Sequence, residues 1–122
     1  MMRIMVVEDE ADVRSYFARA LARIGPEIEV LTACDGREAL ALLRLAPCDL
    51  ILSDQRMPGM SGIELLITLR RSSAVPFVLI SADRSVEEAA YAAGANDFLS
   101  KPISLDTLHS AVTRYLLRRP RV

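Results

Sequence analysis

The sequence predicts an α/β fold, a parallel sheet covered by helices on both faces, and three observations predict it. Short apolar runs recur at Ile4-Met5-Val6-Val7, Leu50-Ile51-Leu52 and Phe77-Val78-Leu79-Ile80; they are too short for helices and read as strands buried on both sides. Stretches with helical spacing of apolar residues separate them. The length, 122 residues, fits one domain, and the chain has no repeat, low-complexity stretch or internal linker.

Taken in order, the first run is a strand ending at Glu8-Asp9. Val13, Phe17, Ala20, Leu21 and Ile24 then fall on one helical face, with Gly25-Pro26 as the stop. Ile28, Val30 and Thr32 alternate with Glu29 and Leu31, the pattern of a strand nearer the sheet edge. Ala39, Leu40 and Leu43 form a second helical face that stops near Pro47. After the strand at Leu50-Ile51-Leu52, Ser61-Gly62-Ile63-Glu64 reads as a capping box opening a helix through Leu65, Leu66 and Leu69. The Phe77–Ile80 strand leads to a second such box, Ser85-Val86-Glu87-Glu88, and a short helix ending at Gly94. Phe98-Leu99 is the fifth strand. Leu105, Leu108, Val112 and Tyr115 (or Leu116) mark a last helix capped by Ser104. Strict β–α alternation implies right-handed crossovers and a parallel sheet. Five such units form a single doubly wound (βα)5 domain, for which the flavodoxin-like strand order 2-1-3-4-5 is expected. The domain is expected over residues 1–119, with 120–122 a C-terminal tail or the start of a linker.

Composition narrows the function classes. With 52% hydrophobic and 25% charged residues, the chain is neither disordered nor membrane-spanning. Met1-Met2-Arg3-Ile4 runs straight into acidic residues without an apolar leader, which reads as cytoplasmic. Cys34 and Cys48 form no CxxC and are expected to be reduced thiols. A net charge of −1 provides no global field for nucleic acid, and no direct nucleic-acid binding is expected. Arg114, Arg118, Arg119 and Arg121 are read as cations near a helix C-terminus. His109, the single histidine, is placed on the last helix as a surface or partly buried residue.

Ligands in such sheets bind beyond the carboxyl ends of the strands. Those ends carry Glu8 and Asp9, Ser53 and Asp54, Ser81, and Ser100 and Lys101. Singly, each has an ordinary use: Asp9 or Glu10 as a helix cap, Asp54 as a turn starter, Ser81 as a loop hydroxyl. Together they bring three carboxylates, a hydroxyl and an ammonium to one edge. Crowded carboxylates repel, and a divalent cation relieves that; Mg2+ takes oxygen ligands and needs few of them. Such a set suits a phosphoryl group, with a carboxylate attacking phosphorus. Lys101 is also the only lysine, against fourteen arginines. A compact ammonium enters a narrow pocket as a point charge, which a planar guanidinium does less readily.

These residues resemble the receiver domains of two-component response regulators (the CheY-like family). The likeness covers essentially the whole chain: Val6-Val7-Glu8-Asp9-Glu10, Ser53-Asp54-Gln55-Arg56-Met57-Pro58-Gly59-Met60-Ser61-Gly62, Ile80-Ser81-Ala82, and Gly94-Ala95-Asn96-Asp97-Phe98-Leu99-Ser100-Lys101-Pro102. The resemblance implies that Asp54 is the phosphoacceptor. It implies Mg2+ as cofactor, held by Asp9, Asp54 and the backbone carbonyl of Arg56, with Glu8 acting through a metal-bound water. Lys101 and Ser81 would contact the phosphoryl oxygens. Ser81 and Phe98 would be the switch, the ring turning inward as the Ser81 loop moves. Arg56 and Asp83 would tune phosphoryl lifetime as an ion pair, with two solvated charges as the alternative. The Lys101-Pro102 bond would be cis. Departures from the family pattern are mild: Glu8-Asp9 for an Asp pair, Ser81 for Thr, and Phe98 without a Tyr hydroxyl.

The implied function is a phosphorelay module. The partner would be a sensor histidine kinase or phosphotransfer protein, and the only chemistry self-phosphorylation and slow autodephosphorylation rather than turnover of an external substrate. The face made by the fourth helix, fifth strand and fifth helix would change on phosphorylation and is where a homodimer is expected. An aspartyl phosphohydrolase of the haloacid-dehalogenase pattern needs a second Asp two residues after the nucleophile, where this chain has Arg56. The remaining alternative is a receiver-like interaction module that works without phosphorylation.

Overall fold

A computed structural model describes residues 2–117. The order of elements is β1 (Met2–Val7), α1 (Ala11–Ala22), β2 (Ile28–Ala33), α2 (Gly36–Leu45), β3 (Leu50–Asp54), α3 (Gly62–Leu69), β4 (Phe77–Ser81), a 3-10 turn (Arg84–Val86), α4 (Glu87–Ala92), β5 (Asp97–Ser100) and α5 (Leu105–Leu117). All four strand pairings are parallel, in the order β2-β1-β3-β4-β5. The expected (βα)5 architecture and strand order are therefore the observed ones. The expected boundary at 119, Arg118, Arg119 and Arg121, and the side chain of Leu116 lie outside the described residues.

The period of two within each apolar run divides the core. Met5, Val7, Ile51, Phe77, Leu79 and Phe98 point to one face, where they meet Ala39 of α2, Leu65, Leu66 and Leu69 of α3, and Ala90 of α4. Ile4, Val6, Leu50, Leu52, Val78 and Ile80 point to the other, against Phe17, Ala20 and Leu21 of α1 and Leu108 and Val112 of α5. Full burial of each such side chain contributes about 1.5–3 kcal/mol. β3 and β4 are buried at every position because both of their faces are covered. β2, at the edge, is mostly half-buried, which its alternating sequence reflects.

Helix ends follow local chemistry. The Ser61 box forms as expected: Glu64 N donates to Ser61 Oγ at 3.1 Å and Ser61 N to Glu64 Oε1 at 2.9 Å. Ser104 Oγ accepts from Thr107 N at 3.1 Å, as the capping pattern predicts. The Ser85 box does not form. Asp83 takes the capping position instead, accepting from Ser85 N at 2.9 Å and Ser85 Oγ at 2.6 Å, and a 3-10 turn precedes α4. Asp is at least as good a cap as Ser, and its earlier position wins the turn. Glu10 sits at the N-cap of α1 but makes no side-chain cap bond. Leu105, assigned to the buried face of α5 by its spacing, is 44% exposed.

Candidate functional site

Parallel strands with helical crossovers put every strand's carboxyl end on one edge, and the polar residues that follow the apolar runs converge there. Glu8 comes from the end of β1 and is 1% exposed; Asp54 closes β3 at 8% and Ser81 closes β4 at 3%. Asp9 is exposed beside them. Carboxylate oxygens of Glu8, Asp9 and Asp54 lie within 4.8 Å of one another. Lys101, just past β5, lies between two of these acids: its Nζ is 3.0 Å from Asp54 Oδ1 and 3.3 Å from Glu8 Oε1. The Lys101-Pro102 peptide is cis. Asp9, Asp54, Arg56, Ser81, Asp83 and Lys101 line a cavity of about 460 Å³ that opens to solvent.

The electrostatics follow from this crowding. Burial pushes the Glu8 carboxyl above its usual range; a hydrogen bond from the Glu10 amide pulls it back, Asp54 pushes it further up, and Lys101 opposes both. Burial lowers the Lys101 ammonium, but the bonds and charges of Asp54 and Glu8 outweigh that and hold it above its usual value. One ammonium thus serves two carboxylates, while a third stands close by without it. The donor set is three carboxylates, all hard oxygen ligands suited to Mg2+, and a second cation beside Lys101 would relieve their repulsion.

Ser81 Oγ accepts from Asp83 N at 3.0 Å, so its hydroxyl proton can be given to a second partner. Arg56 Nη2 lies 3.8 Å from Asp83 Oδ2 at the mouth of the cavity; Arg56 is 83% exposed, so the pair is loose. Asp83 is held below the usual carboxylate range, chiefly by its bonds from Ser85 and then by Arg56. Phe98 is already buried, 8% exposed, among the β4 and α4 side chains. On its surface side β5 presents Asp97, which accepts from Arg114 of α5 at 2.9 Å and from Tyr91 of α4 at 3.4 Å. His109 is half-buried against α1, its Nε2 3.3 Å from the Ala20 carbonyl. Cys34 and Cys48 are free thiols. Among the described residues, no helix is long and apolar enough to cross a membrane.

Two supporting residues were not legible in the sequence. Gln55 follows Asp54 and orients α3: its carbonyl accepts from Gly62 N at 3.0 Å and its side-chain oxygen from Ile63 N at 2.9 Å. Gly62 lies so close to Asp54 that a Cβ there would be 2.4 Å from the Asp54 carbonyl oxygen. Neither leaves a periodic trace in the sequence.

The family profile described as "Response regulator receiver domain" matches residues 4–113. The chain is 40% identical over 118 residues to the uncharacterized transcriptional regulatory protein YrkP of Bacillus subtilis, covering 95% of this chain and 50% of that protein. It is 34% identical over 123 residues to the cyclic di-GMP phosphodiesterase response regulator RpfG of Xanthomonas campestris, covering 97% of this chain and 32% of that one. It thus spans a third to a half of the length of these curated relatives. Among solved structures, the receiver domain of Francisella response regulator 1452 superposes with a TM-score of 0.89 at 29% identity, covering 97% of this chain and 98% of that one. The chemotaxis protein CheY4 of Vibrio cholerae does so with a TM-score of 0.87 at 32% identity, covering 94% and 98%. Sequence profile, strand order and the acidic cluster at the sheet edge agree, and the chain belongs to the response regulator receiver domain family.

Proposed function

We propose that this chain is a phosphoacceptor module in which Asp54 receives a phosphoryl group from a sensor histidine kinase or a phosphotransfer protein. The observation that carries the reading is the placement of Lys101 Nζ between Asp54 and Glu8, at the mouth of a cavity also lined by Ser81. Asp9, Asp54 and the backbone carbonyl of Arg56 are the residues that would hold Mg2+, with Glu8 acting through water. When bound, Mg2+ neutralises charge on the phosphoryl oxygens. An Asp54 carboxylate oxygen gives a lone pair to phosphorus; the donor's P–N bond breaks and its electron pair leaves with the imidazole. Lys101 and Ser81 bind the transferred oxygens, by charge and by a donated O–H bond. Water attack on phosphorus later returns Asp54 to the free carboxylate. No external substrate is turned over. Arg56 and Asp83 at the cavity mouth slow that attack as a loose screen.

Donating its proton to the phosphoryl group draws the Ser81 hydroxyl toward it, and Asp83, whose N–H donates to the same hydroxyl, follows, so the β4–α4 connection shifts with occupancy. Phe98 responds as the aromatic switch. Because its ring is already buried, the change is in which side chains it packs against. The readout is the α4–β5–α5 face, where a phosphorylation-dependent homodimer forms. The module works in the cytoplasm and makes no direct contact with nucleic acid.

The test is incubation with Mg2+ and acetyl phosphate followed by intact mass measurement. The expected result is a gain of about 80 Da, one phosphoryl group, lost in Asp54→Asn and in a chelated sample. No gain, together with no amide shift changes on adding beryllofluoride, overturns the reading in favour of an interaction module that works without phosphorylation.

A further inference from the structure

The turn between β1 and α1 carries two of the three clustered carboxylates, and an arginine holds its backbone. Arg14, in the first turns of α1, donates from Nη1 to the Glu8 carbonyl at 2.8 Å and reaches the Asp9 carbonyl at 3.5 Å. A cation there is misplaced by helix electrostatics, because the start of a helix is the positive end of its dipole. Two backbone carbonyls offset that, one of them through a short charge-assisted bond. The turn is also held at its two ends, by the Glu8 amide donating to the Ala33 carbonyl at 3.0 Å and by the Glu10 carbonyl accepting from Arg14 N at 2.9 Å. Glu10 makes no side-chain cap for α1, and its amide instead donates to Glu8 Oε2 at 3.1 Å. The Glu8 carboxylate is thus tied to its own turn, and Arg14 ties that turn to the helix.

We propose that Arg14 is a positioning residue: by clamping the Glu8 and Asp9 carbonyls it aims both side chains at the point where, with Asp54, they take a divalent cation. This rests on the metal-dependent reading above. Arg14 acts on such a cation in two opposite ways. Its charge repels the ion, while its hydrogen bonds keep the ligands in place before the ion arrives. The geometry favours the second, since the guanidinium is turned onto the carbonyls rather than onto any of the three carboxylates.

The two effects differ in sign, so a binding measurement separates them. Mg2+ affinity is read from amide shifts of Asp9 and Asp54 in the wild-type protein, Arg14→Met and Arg14→Lys. The Met variant keeps the apolar stem and loses the donors; Lys keeps the charge and an ammonium donor group but not the planar fork. Expected is about tenfold weaker Mg2+ binding in the Met variant, the usual scale for loss of a group that orients a metal ligand, with part of it restored by Lys. Hydrogen exchange at the Glu10 amide, measured without metal, rises in the Met variant while exchange at core residues such as Leu52 does not. Tighter Mg2+ binding in Arg14→Met reduces the residue to a repelling charge and overturns the proposal. Unchanged binding reduces it to a packing stem and overturns it too. If the wild-type protein binds no Mg2+, the proposed function falls, and unchanged Glu10 exchange would remove the clamp as well.

Discussion

Gly62→Ala tests whether the approach of α3 to the end of β3 sets the position of Asp54. An Ala Cβ at this position would lie 2.4 Å from the Asp54 carbonyl oxygen and 2.6 Å from Leu79 Cδ1. The leucine methyl can turn away. The carbonyl cannot, because Asp54 is paired with Ile80 in the centre of the sheet. Reaching ordinary contact at 3.4 Å requires α3 and the strand end to separate by about 1 Å. Overpacking of this kind costs about 1–3 kcal/mol. The better helix propensity of Ala returns up to about 1 kcal/mol, less at a first helical residue. The net loss is about 1–2 kcal/mol, which for a chain of this length lowers the melting temperature by roughly 4–10 °C. The site should suffer more than the fold, since a 1 Å misplacement of a reacting group costs up to about a hundredfold in rate. Calorimetry and the rate of phosphorylation by acetyl phosphate are the two assays. Gly59→Ala is the control: φ there is +78° and a Cβ would meet nothing within 4 Å. It should cost about 1–2 kcal/mol from the left-handed backbone alone and leave the phosphorylation rate unchanged. A Gly62→Ala protein that melts with the wild type and phosphorylates at its rate would refute the argument.

Two further predictions follow from the charges and thiols. Lys101→Met removes the ammonium shared by Glu8 and Asp54, and without metal should destabilise by about 2 kcal/mol, between the values for exposed and buried pairs. Added Mg2+ should recover much of that in a thermal melt, and Mg2+ should bind this variant more tightly than the wild type; a melt indifferent to Mg2+ would remove the electrostatic account. Cys48, its thiol pushed up to about 11 by burial, should resist iodoacetamide at neutral pH. A raised thiol pKa means less thiolate at any lower pH, about one part in a thousand at pH 8, so alkylation followed by mass should accelerate only as pH rises toward 11; rapid labelling at pH 8 would contradict the burial of that side chain.

The fold was legible because its two periods are distinct. Uniform apolar runs at 4–7, 50–52 and 77–80 can only be strands covered on both faces, and the helical stripes between them leave no room for a hairpin. The edge position of β2 was readable from Glu29 and Thr32. Within the site, the residues at the ends of apolar runs were readable because the topology gathers strand ends. What escaped were contacts whose signal is a single hydrogen bond. Asp83 displaced Ser85 as the cap before α4, since two good capping residues stood within one turn and the sequence does not rank them. Asn96, whose side-chain oxygen accepts from Phe77 N at 2.9 Å and Arg70 Nη2 at 3.1 Å, looks in sequence like any turn residue. Arg14 looks like one of many surface arginines, and only its direction, toward the carbonyls of Glu8 and Asp9, distinguishes it.

The same geometry explains why such a site can exist on a small domain. Glu8 and Lys101 are 93 residues apart, and the sheet alone brings them together. A carboxylate buried to the extent of Glu8 works against folding, and Asp54 beside it adds repulsion. The opposing contribution comes from elsewhere: two apolar layers formed by alternate residues of the same strands, independent of the charges at their ends. The β3–β4 ladder holds Asp54 opposite Ile80, and the β1–β3 ladder ends at Val7, one residue before Glu8, so Asp54 cannot move away from the crowding while those strands stay paired. Relief has to come from added positive charge or from the segments that are not laddered, namely the β1–α1 turn and the connection from Ser81 to α4. That division leaves Asp54 within a strand ladder and puts Asp9 and the Ser81–α4 connection in segments outside it, the arrangement that the proposed charge-operated switch would require.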